Sequence, residues 1–134
     1  MNEKIRVLIV EPEKAPYESE IESSLTAMQT VVGGMIQAVY PFEEPVALVC
    51  NDEGKLLGMP LNRGLFMENI LYDVIAGTFL ICGAPADSDR FTSLTKEQIS
   101  CFRERFRYSE RFIRVNGKIF CLREEAIHAE GSVF

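Results

Sequence analysis

Short apolar runs constrain the fold of this chain more than any other feature. Val46 to Cys50 and Ile75 to Cys82 contain no charged residue. A strand with one solvated face alternates polar and apolar residues, so these runs predict strands inside a sheet that is covered on both faces. Ile5 to Val10 predicts a third buried strand. A chain of 134 residues is long enough to bury such a sheet in one domain without a metal or a disulfide.

Two helices are predicted from apolar spacing and end signals. The first would begin at Pro16 and end at Gly33-Gly34, with an apolar stripe formed by Ile21, Leu25, Met28 and Val32. The second would begin at Thr95, because Thr95 and Gln98 have the spacing of a capping box. Its stripe is Ile99, Phe102 and Phe106.

The remaining segments predict further strands and one irregular stretch. Met35 to Tyr40 and Lys55 to Met59 are expected to be strands, Pro60 to Asn69 to be irregular, and Asn116-Gly117 to form a hairpin turn. The element order β-α-β-β-β-β-α-β-β predicts an α+β fold with one mixed, mainly antiparallel sheet and two helices. We expect residues 1–123 to form a single domain and residues 124–134 to form a charged tail.

Charge and cysteine content bear on compartment and partners. The formal net charge is −6, and residues 1–60 hold four Lys/Arg against ten Asp/Glu. This balance disfavours nucleic acid as a partner, because phosphate binding depends on Lys/Arg. Val7 to Val10 is too short for a signal-peptide core, and no run is long enough to span a membrane. We therefore expect a cytoplasmic protein whose Cys50, Cys82 and Cys121 are reduced core thiols.

Common catalytic sets are not evident in the sequence. His128 is the only histidine and lies in the tail, so a triad would have to use it. The four cysteines form no CxxC motif, and we predict no metal and no cofactor. The loop from Glu11 to Pro16 lacks glycine and contains two prolines, which disfavours a phosphate-binding cradle.

One candidate ligand site lies in the loop between the apolar runs Val46 to Cys50 and Ile75 to Cys82. Asn62 and Arg63 follow Pro60, and an arginine fork beside an amide could hold a carboxylate or a phosphate. Alternatively, the loop's polar groups satisfy the backbone and Arg63 pairs with Asp73 in a purely structural role. The candidate ligand-binding residues are Asn51, Lys55, Asn62, Arg63 and Asp73.

A second candidate surface combines arginines with aromatic residues, as single-strand nucleic-acid grooves do. Its candidate residues are Arg103, Arg107, Arg111 and Arg114. Phe102 and Phe106 lie among them but belong to the predicted core stripe, which favours a solvated helix face instead.

Several blocks resemble a known family in order. They include Ile5-Arg-Val-Leu-Ile-Val-Glu-Pro, Ala27-Met-Gln-Thr-Val-Val-Gly-Gly-Met-Ile, Ala38-Val-Tyr-Pro-Phe, Val49-Cys-Asn-Asp-Glu-Gly-Lys-Leu-Leu-Gly-Met-Pro-Leu-Asn-Arg and Ile75-Ala-Gly-Thr-Phe-Leu-Ile-Cys-Gly. Together they resemble the bacterial and phage family called domain of unknown function 3846, over about Ile5 to Phe106. The resemblance implies an accessory protein of a phage or conjugative element and carries no activity.

Two functional hypotheses follow. The first is a non-enzymatic accessory protein that binds a protein partner. The second is a small-ligand or enzymatic module with a pocket for an anionic group at the Asn62/Arg63 loop.

Overall fold

Nine strands and two helices make up residues 3–123, the part of the chain that the computed structural model describes. The helices are α1 (Leu25–Val32) and α2 (Lys96–Arg105). The strands are β1 (Lys4–Val10), β2 (Tyr17–Glu22), β3 (Ile36–Val39), β4 (Val46–Asn51), β5 (Leu61–Met67), β6 (Ile70–Ala76), β7 (Phe79–Gly83), β8 (Glu110–Val115) and β9 (Lys118–Arg123).

The strands form one large sheet and two hairpins. The large sheet has the order β2-β1-β7-β4-β3, while β5 pairs with β6 and β8 pairs with β9. All of these pairs are antiparallel. The predicted α+β class with two helices is confirmed, but the strands are divided among three sheets where one was expected. Neither helix is long and apolar enough to cross a membrane.

Apolar side chains cover both faces of the five-stranded sheet. On one face Met28 of α1 belongs to a buried cluster with Val49 and Leu80. On the other face Phe102 of α2 belongs to a second cluster with Leu48 and Ile81. Because neighbouring strand residues point to opposite faces, a strand packed on both sides must be apolar at every position. The apolar runs of β4 and β7 are continuous because both faces of these strands are packed.

The first predicted helix is correct only in its second half. Residues Tyr17–Glu22 form β2, which pairs along β1, and Arg6 binds Glu18 and Glu20 at 3.1 and 3.4 Å. The helix begins after Ser24, whose hydroxyl accepts a hydrogen bond from the Ala27 N–H at 3.1 Å. Ile21 therefore matches the helical spacing by coincidence, since pairing with β1 decides its conformation.

Three other predicted boundaries are wrong. Gly77, with φ of 81°, divides the expected strand Ile75–Cys82 into the end of β6 and the start of β7. Lys55 to Met59 forms turns where a strand was expected, and most of Pro60–Asn69, expected to be irregular, is β5. The apparent irregularity of β5 comes from Asn62 and Arg63, polar residues that are buried in the strand.

The strongest local signals are confirmed. Both hydrogen bonds of the Thr95–Gln98 capping box are present, and Asn116-Gly117 turns the β8–β9 hairpin with φ of 51° and 80°. Cys50 and Cys82 are buried thiols, and burial raises the pKa of Cys82 to about 12. Cys121 is only partly buried. The predicted tail and His128 lie outside the described residues.

Replacing Gly33 should strain the end of α1. Gly33 has φ of 79°, and its N–H donates to the Gln29 carbonyl at 2.8 Å. A Cβ there would find enough space, with Met59 at 3.8 Å, so the cost of Gly33→Ala is conformational. We expect Gly33→Ala to lower the free energy of unfolding by about 1 kcal/mol in a denaturant titration. Gly33→Asn should cost less, because asparagine tolerates the left-handed region; equal costs would contradict this account.

Candidate functional site

Asn62 and Arg63 lie side by side in β5, and both are completely buried, with 0% of their surface exposed. Adjacent residues of a regular strand point to opposite faces. Here the register with β6 shifts between Leu61 and Arg63, so Asn62 is the extra residue of a bulge. The Asn62 amide nitrogen donates to the carbonyls of Val10 and Gly77, both at 2.8 Å. It thereby ties the end of β1 to the β6–β7 turn.

The guanidinium of Arg63 uses all five of its N–H donors within the protein. Nε and one Nη2 hydrogen donate to the Phe106 carbonyl at 3.3 and 3.0 Å, and Nη2 also donates to the Lys14 carbonyl at 2.7 Å. Nη1 donates to the backbone and side-chain oxygens of Asn62 at 3.2 and 2.8 Å. An arginine offers five donors in a fixed fork, so this set is complete. We call this arrangement the Arg63 clamp.

The electrostatics of the clamp depend on burial and on one carboxylate. Burial lowers the pKa of the Arg63 guanidinium, whereas Glu110 and Cys121 act in the opposite direction. An arginine nevertheless remains a cation at neutral pH. Glu110, itself buried, accepts hydrogen bonds from the Gly64 N–H at 2.8 Å and from the Cys121 thiol at 2.6 Å. Carbonyl dipoles and this carboxylate together compensate the buried charge.

The expected pairing of Arg63 with Asp73 is wrong. Asp73 accepts a hydrogen bond from Lys55 Nζ at 2.6 Å and is partly exposed. In the β5–β6 register Arg63 is opposite Ile75, and Asp73 is opposite Leu65. The two residues are thus two rungs apart, and Arg63 donates instead to the Phe106 carbonyl at the end of α2. Arg63 thus has the structural role that was the alternative to ligand binding, but its partners are backbone carbonyls and not Asp73.

Asn51, Lys55 and Asp73 line a separate cavity of about 230 Å³. Asn51 is buried and donates to the Val32 carbonyl at 3.2 Å, at the end of α1. The lining includes Asp52, Glu53 and Asp73 but only Lys55 as a cation, which does not suit the anionic ligand that was expected. Burial raises the pKa of the Cys50 thiol in the cavity wall, and Asp73 and Asp52 raise it further. This thiol is therefore a poor nucleophile at neutral pH.

The five candidate ligand residues are thus divided between two places. Asn62 and Arg63 belong to the clamp, while the other three line the cavity. Ligand binding by these residues stays a prediction. Within residues 3–123, no three His, Cys, Asp or Glu side chains are placed to hold one metal ion.

The four candidate nucleic-acid residues do not share a groove. Arg103 binds Glu18 at 3.0 Å, and Arg107 binds Glu104 at 3.5 Å. Arg111 and Arg114 lie three positions apart on β8, so they point to opposite faces of the hairpin. Phe102 and Phe106 are buried in the core, as the apolar stripe of the second helix predicted.

Sequence reasoning missed one surface, the outer face of the β8–β9 hairpin. We define it as the three cross-strand pairs Arg111/Leu122, Ile113/Phe120 and Val115/Lys118. All six side chains are exposed, with Ile113 at 46% and Phe120 at 50%. On the opposite face Glu110, Phe112, Ile119 and Cys121 are buried or partly buried. The sequence did contain a signal for this surface. Apolar residues occupy both alternating sets of positions around the Asn116-Gly117 turn, so each face of the hairpin carries apolar side chains.

A family model covers most of the described chain. The model for the domain of unknown function DUF3846 matches residues 5–107. The chain belongs to this family. The match agrees with the resemblance over Ile5 to Phe106. No curated protein and no solved structure matches the chain. In this DUF3846 protein the clamp residues Lys14, Arg63 and Phe106 lie within the matched range, whereas the β8–β9 hairpin follows it.

Removing the Arg63 guanidinium should destabilise the protein strongly. Arg63→Ala leaves the carbonyls of Lys14 and Phe106 without their donor and Glu110 without its nearby cation. We expect a loss of about 3–5 kcal/mol in the free energy of unfolding, measured by urea titration. Arg114→Ala removes an exposed arginine from β8 and should change stability by no more than about 0.5 kcal/mol. Equal stability of the two variants would contradict the clamp.

Proposed function

We propose that this DUF3846 protein is a non-enzymatic accessory protein that binds a protein partner through the outer face of its β8–β9 hairpin. The observation that carries the proposal is the exposed apolar pair Ile113/Phe120 at the centre of that face. The expected bacterial host with a phage or conjugative element rests on the family resemblance alone. The expected cytoplasmic location rests on the predicted reduced cysteines and on the short apolar run near the N-terminus.

The outer face has the composition of an interaction surface. Val115 and Leu122 extend the apolar pair along the hairpin, and both remain more than 40% exposed. Contiguous exposed apolar side chains are uncommon on a monomer surface and mark places where another molecule packs. The other face of the same hairpin already packs on the protein, through Glu110 and through Cys121 beside Gly64. A partner on the outer face would therefore bind a hairpin whose opposite face is already held against the protein.

The most conspicuous polar residues support a binding module over a ligand pocket. Asn62 donates to two backbone carbonyls, and Arg63 donates to backbone carbonyls and to the side-chain oxygen of Asn62. Asn51 likewise joins the end of α1 to the turn after β4 by accepting from the Glu53 N–H at 2.8 Å. These side chains hold the fold together, so their presence does not call for a substrate.

Site-specific photocrosslinking in the bacterial host tests the proposal. A benzophenone amino acid at Ile113 would lie at the centre of the outer face, and the same residue at Arg114 would lie on the opposite face as a matched control. We expect a discrete protein adduct from position 113 and none of that mass from position 114. Adding Phe120→Lys to the position-113 protein should abolish the adduct without unfolding the chain, because Phe120 is half exposed.

Two outcomes would overturn this function. One is the absence of any adduct at position 113 under conditions in which the protein is folded and expressed. The other is an adduct pattern that is the same at positions 113 and 114, since this would reflect random collision and not a surface with a defined partner.

A further inference from the structure

We infer that the protein self-associates through the free edge of β3, which pairs with β3 of a second copy in an antiparallel arrangement. β3 is the last strand of the five-stranded sheet, and within residues 3–123 it pairs with β4 alone. An edge strand presents unpaired backbone N–H and C=O groups that can bind another strand. The β8–β9 hairpin belongs to a different sheet, so this inference is independent of the proposed function.

The register with β4 shows which backbone groups of β3 are available. The Asp52 N–H donates to the Met35 carbonyl at 2.8 Å, just before β3 begins. In an antiparallel pair, residues that bond the neighbouring strand alternate with residues whose backbone groups point away from it. Met35 and Gln37 therefore direct their backbone groups to β4, whereas Ile36 and Ala38 direct theirs to the free edge.

The chain around this edge carries no charge. The segment from Ser23 to Phe42 contains no Asp, Glu, Lys, Arg or His, although 25% of the whole chain is charged. It includes α1 and β3, and its exposed side chains include Leu25 at 58%, Met35 at 63% and Tyr40 at 62%. Charged residues are depleted at the centres of protein interfaces, while Met and Tyr are enriched there. This surface therefore has the composition of an interface.

The opposite edge of the same sheet differs in this respect. β2 carries Glu18, Glu20 and Glu22 along its length. Arg6 on β1 binds the first two carboxylates at 3.1 and 3.4 Å, and a docked strand would have to accommodate this charged cluster. Charged side chains on an edge strand discourage pairing with another strand. Of the two edges of this sheet, the β3 edge is therefore the one suited to self-association.

Pairing of two β3 strands is geometrically self-consistent. Hydrogen-bonded pairs in an antiparallel ladder join residues whose backbone groups face each other. A two-fold axis at Ala38 meets this condition, because it pairs Ala38 with Ala38 and Ile36 with Tyr40 of the second copy. Tyr40 would continue the alternation of β3 by one step. The small side chain of Ala38 suits the axis, where two identical side chains meet, and the exposed ring of Tyr40 would cover Ile36 of the other copy.

Use of the same edge by both copies limits the assembly to a dimer. Such a contact is closed by its two-fold axis, and the combined sheet would end in the charged β2 strands. None of the paired residues is charged, so the net charge of −6 opposes the contact only at a distance, where salt screens it. An extended segment of another protein would meet the same backbone groups, whereas a second copy also supplies matching apolar side chains.

Light scattering and residue-resolved amide hydrogen exchange of the full chain test the inference. We expect a dimer at high protein concentration and dissociation on dilution. The N–H groups of Ile36 and Ala38 should exchange at least tenfold faster in the monomer than in the dimer, because only the second copy protects them. The exchange rates of Gln37 and Val39 should change much less, since their N–H groups bond β4 in both states.

A lysine on the two-fold axis should separate the copies. Ala38→Lys places like charges directly opposite each other, so we expect self-association to weaken at least tenfold. Ser19→Lys is the matched control, because Ser19 is also a small, partly buried residue within an edge strand, β2. This control variant should remain a dimer. If Ala38→Lys does not fold, the exchange comparison on the unaltered protein still decides the inference.

Several results would overturn the inference. A monomer at every concentration is one, and a dimer that Ala38→Lys leaves intact is another, since a different surface would then hold the copies together. Protection of the Ile36 and Ala38 N–H groups in the monomer would show that another part of the same chain covers the edge. Protection gained only on addition of a host protein would identify an extended segment of that protein as the occupant.

Discussion

The buried guanidinium of Arg63 determines how the separate parts of this fold are joined. Its donors reach the loop after β1 at Lys14, the end of α2 at Phe106 and the neighbouring Asn62. The C-terminal end of a helix carries partial negative charge, so the Phe106 carbonyl is a favourable acceptor for a cation. The connections to Lys14 and Phe106 cross between elements that no β-ladder of the described chain links. The clamp therefore joins the β5–β6 hairpin to the rest of the protein through side-chain hydrogen bonds, since no strand pairing within residues 3–123 does so.

The effect of the clamp extends to the surface that we propose for binding. The chain leaves α2 at Phe106 and enters β8 at Glu110. The Glu110 carboxylate accepts a hydrogen bond from the N–H of Gly64, the residue after Arg63. Cys121 on β9 donates to the same carboxylate. The back of the β8–β9 hairpin is thus anchored to the clamp region, and the outer face is left towards solvent. A rigid support of this kind favours binding, because less conformational freedom is lost when a partner docks.

Local chemistry explains which parts of the fold could be predicted from the sequence. The Thr95 capping box and the Asn116-Gly117 turn act through neighbouring residues, and both appear as expected. Ile21 was assigned to α1 because it has helical spacing to Leu25. Its actual conformation depends on pairing with Ile5 in β1, and the local spacing does not reveal that contact. For the candidate site, Arg63 stood out correctly as unusual, but its acceptors at Lys14 and Phe106 are distant in sequence. Asp73 was chosen because it is close along the chain, but it lies opposite Leu65 and accepts a hydrogen bond from Lys55.

Hydrogen exchange of the arginine side chains by NMR tests the central claim most directly. The Nε–H of Arg63 is buried and donates to the Phe106 carbonyl, whereas Arg114 is exposed on β8. In the full-length protein we predict a resolved Arg63 Nε–H resonance that exchanges with water at least a hundredfold more slowly than that of Arg114. Exchange of Arg63 at the rate of Arg114 would show that the guanidinium is open to solvent and would contradict the clamp.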